Sequence, residues 1–380
     1  MSLSYGVLST YPPTQCGLAS FSHALVDALS SPDDRVGVVS VVDRPDGSPQ
    51  REVRHQWVRG EAGGSAVAAA ALNNCDVAII QHEYGIFGGR DGADVLAVSR
   101  ALRVPTIVVL HTVLLTPSAR QRAILEELAR ACVTVVTMTQ TARQRLIDHY
   151  SVDPDSIRVI PHGAVDNRPR RSEIPHQSRG ADPVILTWGL LGVGKGIEWA
   201  IEAMAGLRDL RPTPRYRVVG QTHPRVIERH GESYRESLLL RARQLDVHHL
   251  VDFDARYLGR AELSQILQQA DVVLLPYDSP EQVTSGVLIE AVTAGKPVVS
   301  TGFPHARELL ASGAGLVVER QDPAAMAGAL RRVLTEPGLA AGMAAEAGRI
   351  APELLWPAVA EQYRQLAADA LSPESILVSA

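Results

Sequence analysis

Residues 281–299 read Glu-Gln-Val-Thr-Ser-Gly-Val-Leu-Ile-Glu-Ala-Val-Thr-Ala-Gly-Lys-Pro-Val-Val. A turn of small residues leads into an apolar helical run, and Glu290 follows within two helical turns. Backbone N–H groups at the start of a helix attract an anion, and the helix dipole favours negative charge there. The segment therefore predicts that Ser285, Gly286 and Val287 bind a diphosphate, while Glu290 accepts hydrogen bonds from sugar hydroxyls. The alternative interpretation is a buried helix of an ordinary α/β domain that begins at a glycine.

A second glycine-rich segment, residues 189–196, reads Gly-Leu-Leu-Gly-Val-Gly-Lys-Gly. It has the spacing of a P-loop, but Gly196 replaces the Ser or Thr whose hydroxyl would hold magnesium. This argues against a nucleoside triphosphatase and leaves a P-loop kinase as a remote alternative. A glycine-rich turn before a helix still favours a bound diphosphate. Lys195 and Lys296 are the only lysines among 37 basic residues, and the compact ammonium of Lys195 suits a phosphate oxygen in a narrow loop.

The chain has 380 residues, of which 46% are hydrophobic and 21% charged, and its net charge is −5. This length predicts two α/β domains, and the negative charge leaves no basic footprint for a nucleic-acid partner. Three cysteines, at positions 16, 75 and 132, lack metal-ligand spacing and are typical of reduced thiols. No apolar run is long enough for a transmembrane segment. We therefore expect a cytoplasmic protein, with peripheral association at the inner membrane face left open.

Short apolar runs alternate with helical patterns, which predicts parallel sheets covered by helices. In the first half, we predict strands at 5–9, 36–42, 77–80, 106–110 and 133–137, and helices at 18–30, 119–131 and 139–149. In the second half, we predict strands beginning at 184, 216, 251, 272 and 298, and helices at 196–206, 231–245, 261–270, 286–294 and 323–335. The polar stretch 166–182 is expected to link two domains, residues 1–170 and 171–350, with a crevice between them.

Polar residues follow several strands of the first half, at the edge where ligands of open parallel sheets bind. They are Gln15, His82, Glu83, Tyr84, His111 and His162. A single histidine at a strand end is more often structural than catalytic, but several in equivalent positions favour a site. No HExxH motif, no nucleophile elbow and no Cys/His pair at ligand spacing occurs. We therefore expect no metal.

These features resemble glycosyltransferase family 4, whose members are retaining enzymes with the two-domain GT-B fold. The resemblance spans nearly the whole chain and rests on the Gly17 loop, His111 and the segments 160–163, 189–196, 270–277, 282–290 and 294–299. Segments 81–87, 220–224 and 231–235 look most like a bacterial mannosyltransferase-like branch. The resemblance implies an α/β GT-B fold with two Rossmann-like, doubly wound domains facing a central cleft. It also implies a C-terminal helix over 351–380 that crosses back to the N-terminal domain.

Roles for individual residues follow from the same resemblance. The family's two glutamates fall on positions 282 and 290, so Glu290 would bind the ribose of a nucleotide. Because the first position is Gln282, with Glu281 beside it, which of these two faces the donor sugar stays open. Lys195 would stabilise the departing diphosphate without the arginine that the family usually has, and His111 would orient the donor sugar.

The remaining candidates belong to two groups. Glycines would let the backbone approach the donor, and the donor-binding group is Gly17, Gly194, Gly220, Ser285, Gly286, Val287 and Glu290. The acceptor side of the cleft would hold Gln15, His82, Glu83, Tyr84 and His162. No metal or other cofactor is implied, because Lys195 and the helix terminus supply the positive charge.

The implied reaction is transfer of a hexosyl group from a nucleoside-diphosphate sugar to an acceptor hydroxyl, with retention at the anomeric carbon. GDP-mannose is the favoured donor and UDP-glucose is the other candidate. Two further interpretations stay open. One is an epimerase of the same fold that converts the sugar nucleotide alone, and the other is a non-catalytic subunit that binds it. The acceptor, the linkage and the oligomeric state are not predicted.

Overall fold

A computed structural model describes residues 2–31, 34–47, 50–168 and 182–372. The chain forms two compact units, one of Met1–Gly163 with Trp356–Ala380 and the other of Ala164–Leu355. The sequence pattern placed the boundaries after residues 170 and 350. Most of the expected linker, residues 169–181, lies outside the described residues.

The first unit contains a parallel sheet with helices on both faces. Its strands are β1 (Ser4–Ser9), β2 (Arg35–Val42), β3 (Val53–Val58), β4 (Val77–His82), β5 (Thr106–Leu110), β6 (Thr134–Thr137) and β7 (Ile157–Val159). Its helices are α1 (Gly17–Leu29), α2 (Gly64–Leu72), α3 (Val95–Ala101), α4 (Ala119–Ala131) and α5 (Gln140–His149), together with the last helix of the chain, α14 (Trp356–Ala370). The strand order is β3-β2-β1-β4-β5-β6-β7.

The second unit repeats this plan with six strands. They are β8 (Val184–Trp188), β9 (Arg215–Val219), β10 (Val251–Asp254), β11 (Val272–Leu275), β12 (Val298–Thr301) and β13 (Gly315–Val318). The helices are α6 (Ile197–Ala205), α7 (Pro224–His230), α8 (Ser233–Gln244), α9 (Arg260–Gln269), α10 (Gly286–Thr293), α11 (Pro304–Leu310), α12 (Pro323–Thr335) and α13 (Leu339–Leu354). The order is β10-β9-β8-β11-β12-β13.

Both sheets are parallel and reverse their winding direction beside the first strand of the unit, between β1 and β4 and between β8 and β11. This is the doubly wound Rossmann-like topology, and it confirms the predicted fold class. In such sheets the carboxyl ends of the strands near the reversal form the ligand-binding edge. Of the predicted site residues, Gln15, Lys195 and Gln282 lie in the segments that follow β1, β8 and β11.

Helix α14 packs within the first unit. Tyr363 and Ala367 are buried in the same core cluster as Phe21 and Leu25 of α1. The Arg364 guanidinium donates to the carbonyl oxygen of Ala28 at 2.7 Å. Among the described residues, no helix combines the length and the apolar character needed to cross a membrane.

Candidate functional site

The turn between β8 and α6 is shaped by glycines with positive φ. Gly194 has φ +89° and Gly196 has φ +66°, and a Cβ atom at Gly196 would lie 1.9 Å from the carbonyl oxygen of Pro276. Only glycine fits there. The Gly194 carbonyl accepts a hydrogen bond from the Asp278 N–H at 2.9 Å. The turn is therefore held against the segment that follows β11, with Lys195 between its two glycines.

Lys195 lies over an aromatic ring. Its Nζ is 4.3 Å from the centroid of the Tyr277 ring, and Tyr277 is buried and stacked on Phe303 with centroids 5.3 Å apart. An ammonium over a ring face is attracted by about 0.5–2 kcal/mol. The cation is thus kept half-buried at the ligand-binding edge of the sheet.

The start of α10 is capped by Ser285. Its Oγ accepts from the Leu288 N–H at 3.3 Å, and its own N–H donates to Nδ1 of His305 at 2.9 Å. This corrects one prediction, because the Ser285 N–H already has an acceptor and is not available to a phosphate. The N–H groups of Gly286 and Val287 have no acceptor within the described part of the chain, as is usual in a first helical turn.

The two segments meet beside the end of β8. A Cβ atom built on Gly189 would lie 3.7 Å from a methyl group of Val287, which is ordinary contact distance. Next to it, the Trp188 indole N–H donates to Oε2 of Glu290 at 3.2 Å. The glycine-rich turn, Lys195 and the free amides of α10 therefore lie around one edge of the second unit.

Glu290 is half-buried, and burial raises the pKa of its carboxyl group to about 7, against a smaller opposing effect of the hydrogen bond from Trp188. Trp188 was not predicted as a site residue. Its position at the end of a buried strand, directly before a glycine, was the available signal.

Gln282 and Glu281 lie in the loop between β11 and α10, and both are half-buried. The Gln282 side chain donates to the carbonyl oxygen of Thr284 at 3.3 Å. The Gln282 carbonyl oxygen lies 3.5 Å from the N–H of His305.

Gly220 follows β9 with φ +140°, and a Cβ atom there would lie 2.0 Å from the carbonyl oxygen of Gly189. The turns after β8 and β9 are thus in direct contact. The guanidinium of buried Arg235 donates to the Gly220 carbonyl at 2.7 Å, and its Nε lies 3.3 Å from Oε2 of Glu232. Arg235 was also missed, because it lies on α8, far along the chain from the turn that it holds.

The first unit has three histidines at the ends of its strands: His82 is the last residue of β4, and His111 and His162 follow β5 and β7. The rings of His111 and His162 both lie edge-on to Phe21, with centroids 4.8 Å away. His111 Nε2 is 2.7 Å from Oε1 of Gln81, and His162 Nδ1 donates to the Gly163 carbonyl at 2.7 Å. Because an amide oxygen only accepts, the proton of His111 lies on Nε2.

Burial lowers the pKa of all three histidines. That of His82 falls to about 4, that of His162 to about 4, and that of His111 lies well below its usual value. All three are therefore neutral near pH 7. Within the described ranges, the one group whose ligand atoms are close enough to share a metal ion is a different one, exposed Asp246, His248 and His249.

Two candidates for the acceptor side are internal residues. His82 has no exposed surface, and neither ring nitrogen has a hydrogen-bond partner among the described residues. Tyr84 is buried and donates to the carbonyl oxygen of Gln121 at 3.3 Å. The structure corrects both assignments, because these side chains are packed into the interior of the unit.

The other three candidates on this edge are more accessible. Glu83 accepts a hydrogen bond from the Thr112 hydroxyl, and Gln15 lies exposed in the loop before α1. Gly17 begins α1, and a Cβ atom there would meet nothing within 4 Å. The protein itself therefore does not require glycine at position 17, and any requirement would come from a ligand.

Both units of the chain match known protein families. Residues 170–349 match the family described as glycosyl transferases group 1, and residues 16–168 match glycosyltransferase family 4. The D-inositol 3-phosphate glycosyltransferase of Frankia alni is 30% identical over 309 residues, covering 76% of this chain and 74% of the relative. That of Corynebacterium aurimucosum is 28% identical over 359 residues, covering 90% of this chain and 83% of the relative.

Among solved structures, Alr3699/HepE of Anabaena, crystallised with UDP and glucose, superposes with a TM-score of 0.76 at 19% identity. The alignment covers 97% of this chain and all of the other. At this level of identity the likeness shows the shared fold.

Proposed function

This chain belongs to glycosyltransferase family 4, and on that premise we propose that it transfers a hexosyl group to an acceptor hydroxyl with retention at the anomeric carbon. It is a glycosyltransferase that acts on a nucleotide sugar. The observation that supports the proposed donor site is the arrangement in the second unit: the Lys195 ammonium and the free amides of Gly286 and Val287 lie at one sheet edge.

In the proposed reaction the diphosphate of the donor is the leaving group. Its negative charge grows as the bond between the anomeric carbon and the phosphate oxygen breaks. An ammonium and helix N–H groups that are already oriented stabilise this charge without reorganising. The bond from the anomeric carbon to the acceptor oxygen forms on the same face, and the acceptor proton passes to the leaving phosphate oxygen.

Glu290 is proposed to hold the ribose of the donor. An ionised carboxylate accepts hydrogen bonds from two vicinal hydroxyls, whereas a protonated one accepts less well. Trp188 fixes one carboxyl oxygen by donating to Oε2 at 3.2 Å. Because the pKa of Glu290 is raised to about 7, we expect donor binding to strengthen as the pH rises through neutrality.

His111 is proposed to contact a substrate hydroxyl. Its Nε2 proton is directed to Gln81, so Nδ1 is the ring nitrogen that can accept. The low pKa of the ring keeps this acceptor unprotonated at neutral pH.

The donor sugar and the acceptor are the finer parts of the proposal. Resemblance to the mannosyltransferase-like branch favours GDP-mannose, and the UDP and glucose named in the Anabaena structure make UDP-glucose the donor to compare with it. The curated relatives named above make D-inositol 3-phosphate the first acceptor to test.

The test incubates the purified chain with each donor, with and without that acceptor, and follows products by NMR. A glycoside with the anomeric configuration of the donor is expected only when both substrates are present. Conversion of the donor alone to another sugar nucleotide would indicate the epimerase instead. Inversion at the anomeric carbon would overturn the retaining part of the proposal.

A further inference from the structure

The segment between β12 and α11, residues Phe303, Pro304 and His305, connects to both halves of the proposed diphosphate site. Phe303 has no exposed surface and His305 is 3% exposed. Pro304 is the first residue of α11, where its missing N–H costs no hydrogen bond. A rigid helix start therefore carries two buried rings.

His305 holds the start of α10. Its Nδ1 accepts the Ser285 N–H at 2.9 Å, and Ser285 is itself only 3% exposed. A nitrogen that accepts from an N–H carries no proton, so the ring presents Nδ1 as a fixed acceptor. The backbone N–H of His305 also lies 3.5 Å from the Gln282 carbonyl oxygen. The orientation of the next two amides, Gly286 and Val287, depends on this attachment.

Phe303 supports the lysine through one intermediate ring. Its ring is stacked on Tyr277 with an interplanar angle of 27°, and the Lys195 ammonium lies over Tyr277. The Tyr277 hydroxyl is buried and has no hydrogen-bond partner among the described residues. The ring of Tyr277, and not its hydroxyl, is thus what the lysine uses.

We propose that the 303–305 segment is the positioning element of the diphosphate site: His305 fixes the amides of α10, and Phe303 fixes the ring on which Lys195 lies. This inference rests on the proposed function, because it takes the diphosphate of a nucleotide sugar as the ligand. It assigns no contact between the segment and the substrate.

The decisive comparison uses two amide substitutions of His305. In Asn the amide oxygen is as many bonds from Cα as Nδ1 is in His, whereas in Gln it is one bond further. We expect His305→Leu and His305→Gln to weaken UDP and GDP binding about tenfold or more. Without the Ser285–His305 hydrogen bond, the N–H groups of Gly286 and Val287 would no longer point at the charged phosphate oxygens. His305→Asn is expected to restore most of the affinity.

The ratio of the affinity for the nucleoside diphosphate to the affinity for the nucleoside separates positioning from packing. A segment that only stabilised the fold would leave this ratio unchanged. Calorimetry with UDP and uridine, and with GDP and guanosine, measures this ratio for each variant. We expect the nucleoside affinities to change by less than about twofold, because a nucleoside has no phosphate for the amides to bind. The matched control is His230→Leu, an exposed histidine at the end of α7, which should leave the ratio unchanged.

Tyr277 provides a second arm that does not depend on His305. Tyr277→Leu should lower the diphosphate-to-nucleoside ratio by about three- to tenfold, and the conservative Tyr277→Phe should restore it because the ring remains. This arm tests the ring on which Lys195 lies, and the pair His305→Gln and His305→Asn keeps the role of His305 testable even if His305→Leu fails to fold.

The outcomes separate the inference from the function beneath it. If the wild-type chain binds neither diphosphate more tightly than its nucleoside, the proposed donor site fails. If Lys195→Ala loses the preference for diphosphate while His305→Leu, His305→Gln and Tyr277→Leu keep it, only the positioning role is overturned. A lowered melting temperature with an unchanged ratio in those three variants would likewise leave the segment a packing element.

Discussion

The ligand-binding edges of the two sheets have the same topology and opposite chemistry. At the edge of the first unit, His111 and His162 pack against Phe21, and burial keeps both neutral near pH 7. At the edge of the second unit, Lys195 stays half-buried on a ring face and two helix amides have no acceptor. Burial without an opposite charge keeps the two imidazole rings neutral, whereas the second edge presents a lysine side chain on a ring face and the N–H groups of a helix start. The comparison indicates that anion binding belongs to the second unit.

The largest expected effect is on turnover, when the Lys195 cation is removed from the edge of the second unit. Lys195→Ala should lower turnover at least a hundredfold, because one preorganised donor to a developing charge contributes about 2.7–4 kcal/mol. Steady-state kinetics with the active donor measures this, and circular dichroism checks the fold. Near-normal turnover would contradict the assignment of Lys195.

The other lysine is the matched control. Lys296 Nζ donates to the carbonyl oxygens of Gln268 and Ala270 at 3.0 and 2.9 Å, so it fastens the end of α9. Lys296→Ala should lower the melting temperature and leave the turnover of the folded enzyme near that of the wild type.

The next effect is on the pH dependence of stability, and it tests whether the buried histidines of the first unit are neutral. The pKa of His82 is lowered from 6.5 to about 4 by burial. Its contribution to stability is therefore fully present above pH 6.5 and is lost as the pH falls towards 4, by up to about 3 kcal/mol. His82→Leu should remove this loss and move acid unfolding to lower pH.

Urea unfolding at pH 7 and pH 4.5 measures the difference, with His149→Leu, on α5, as the control. An acid limb that is the same in wild type and His82→Leu would show that burial does not hold the His82 ring neutral.

In the second unit, the contribution of Glu290 to stability depends on pH in the opposite direction. Its pKa is raised from 4.5 to about 7 by burial, so its contribution to stability is present below pH 4.5 and is lost as the pH rises through 7, by about 3 kcal/mol. Glu290→Gln should therefore be more stable than wild type at pH 8 and bind donor less tightly.

The wild-type minus variant difference in unfolding free energy, taken at pH 4.5 and pH 8, isolates this group from the histidines. Glu353→Gln, exposed on α13, is the control. A difference that does not vary with pH would place the Glu290 pKa near its ordinary value.

The smallest effect compares the caps of the two helices that begin at these edges. Cys16 Sγ accepts from the Ala19 N–H at 3.3 Å, and Ser285 Oγ accepts from the Leu288 N–H at 3.3 Å. Sulfur is the weaker acceptor, so Ser285→Ala should cost about 1 kcal/mol of stability and Cys16→Ala less. Denaturant unfolding of both variants tests this order, and an equal or reversed order would contradict it.

Much of the fold could be predicted because the central strands are buried on both faces. All six residues of β4 and all five of β5 are buried, which makes them apolar runs that can be recognised locally. The strands that were missed, β3, β7 and β13, lie at sheet edges and are only partly buried, so their residues are mixed in polarity.

The site divides in a similar way. Lys195, Gly286 and Val287 lie in local motifs with a physical meaning of their own and could be chosen from the sequence. His305 and Trp188 act through partners 20 and 102 residues away, and such pairings follow from packing. His82 and Tyr84 are buried and therefore inaccessible. Their position at the end of a strand did not reveal this.

The central claim is that the second unit holds the diphosphate between Lys195 and the start of α10. A crystal structure of the chain with bound UDP or GDP tests it most directly. Phosphate oxygens within about 3 Å of Lys195 Nζ and of the Gly286 or Val287 nitrogen are expected. A nucleotide whose phosphates lie away from these three groups would contradict the account.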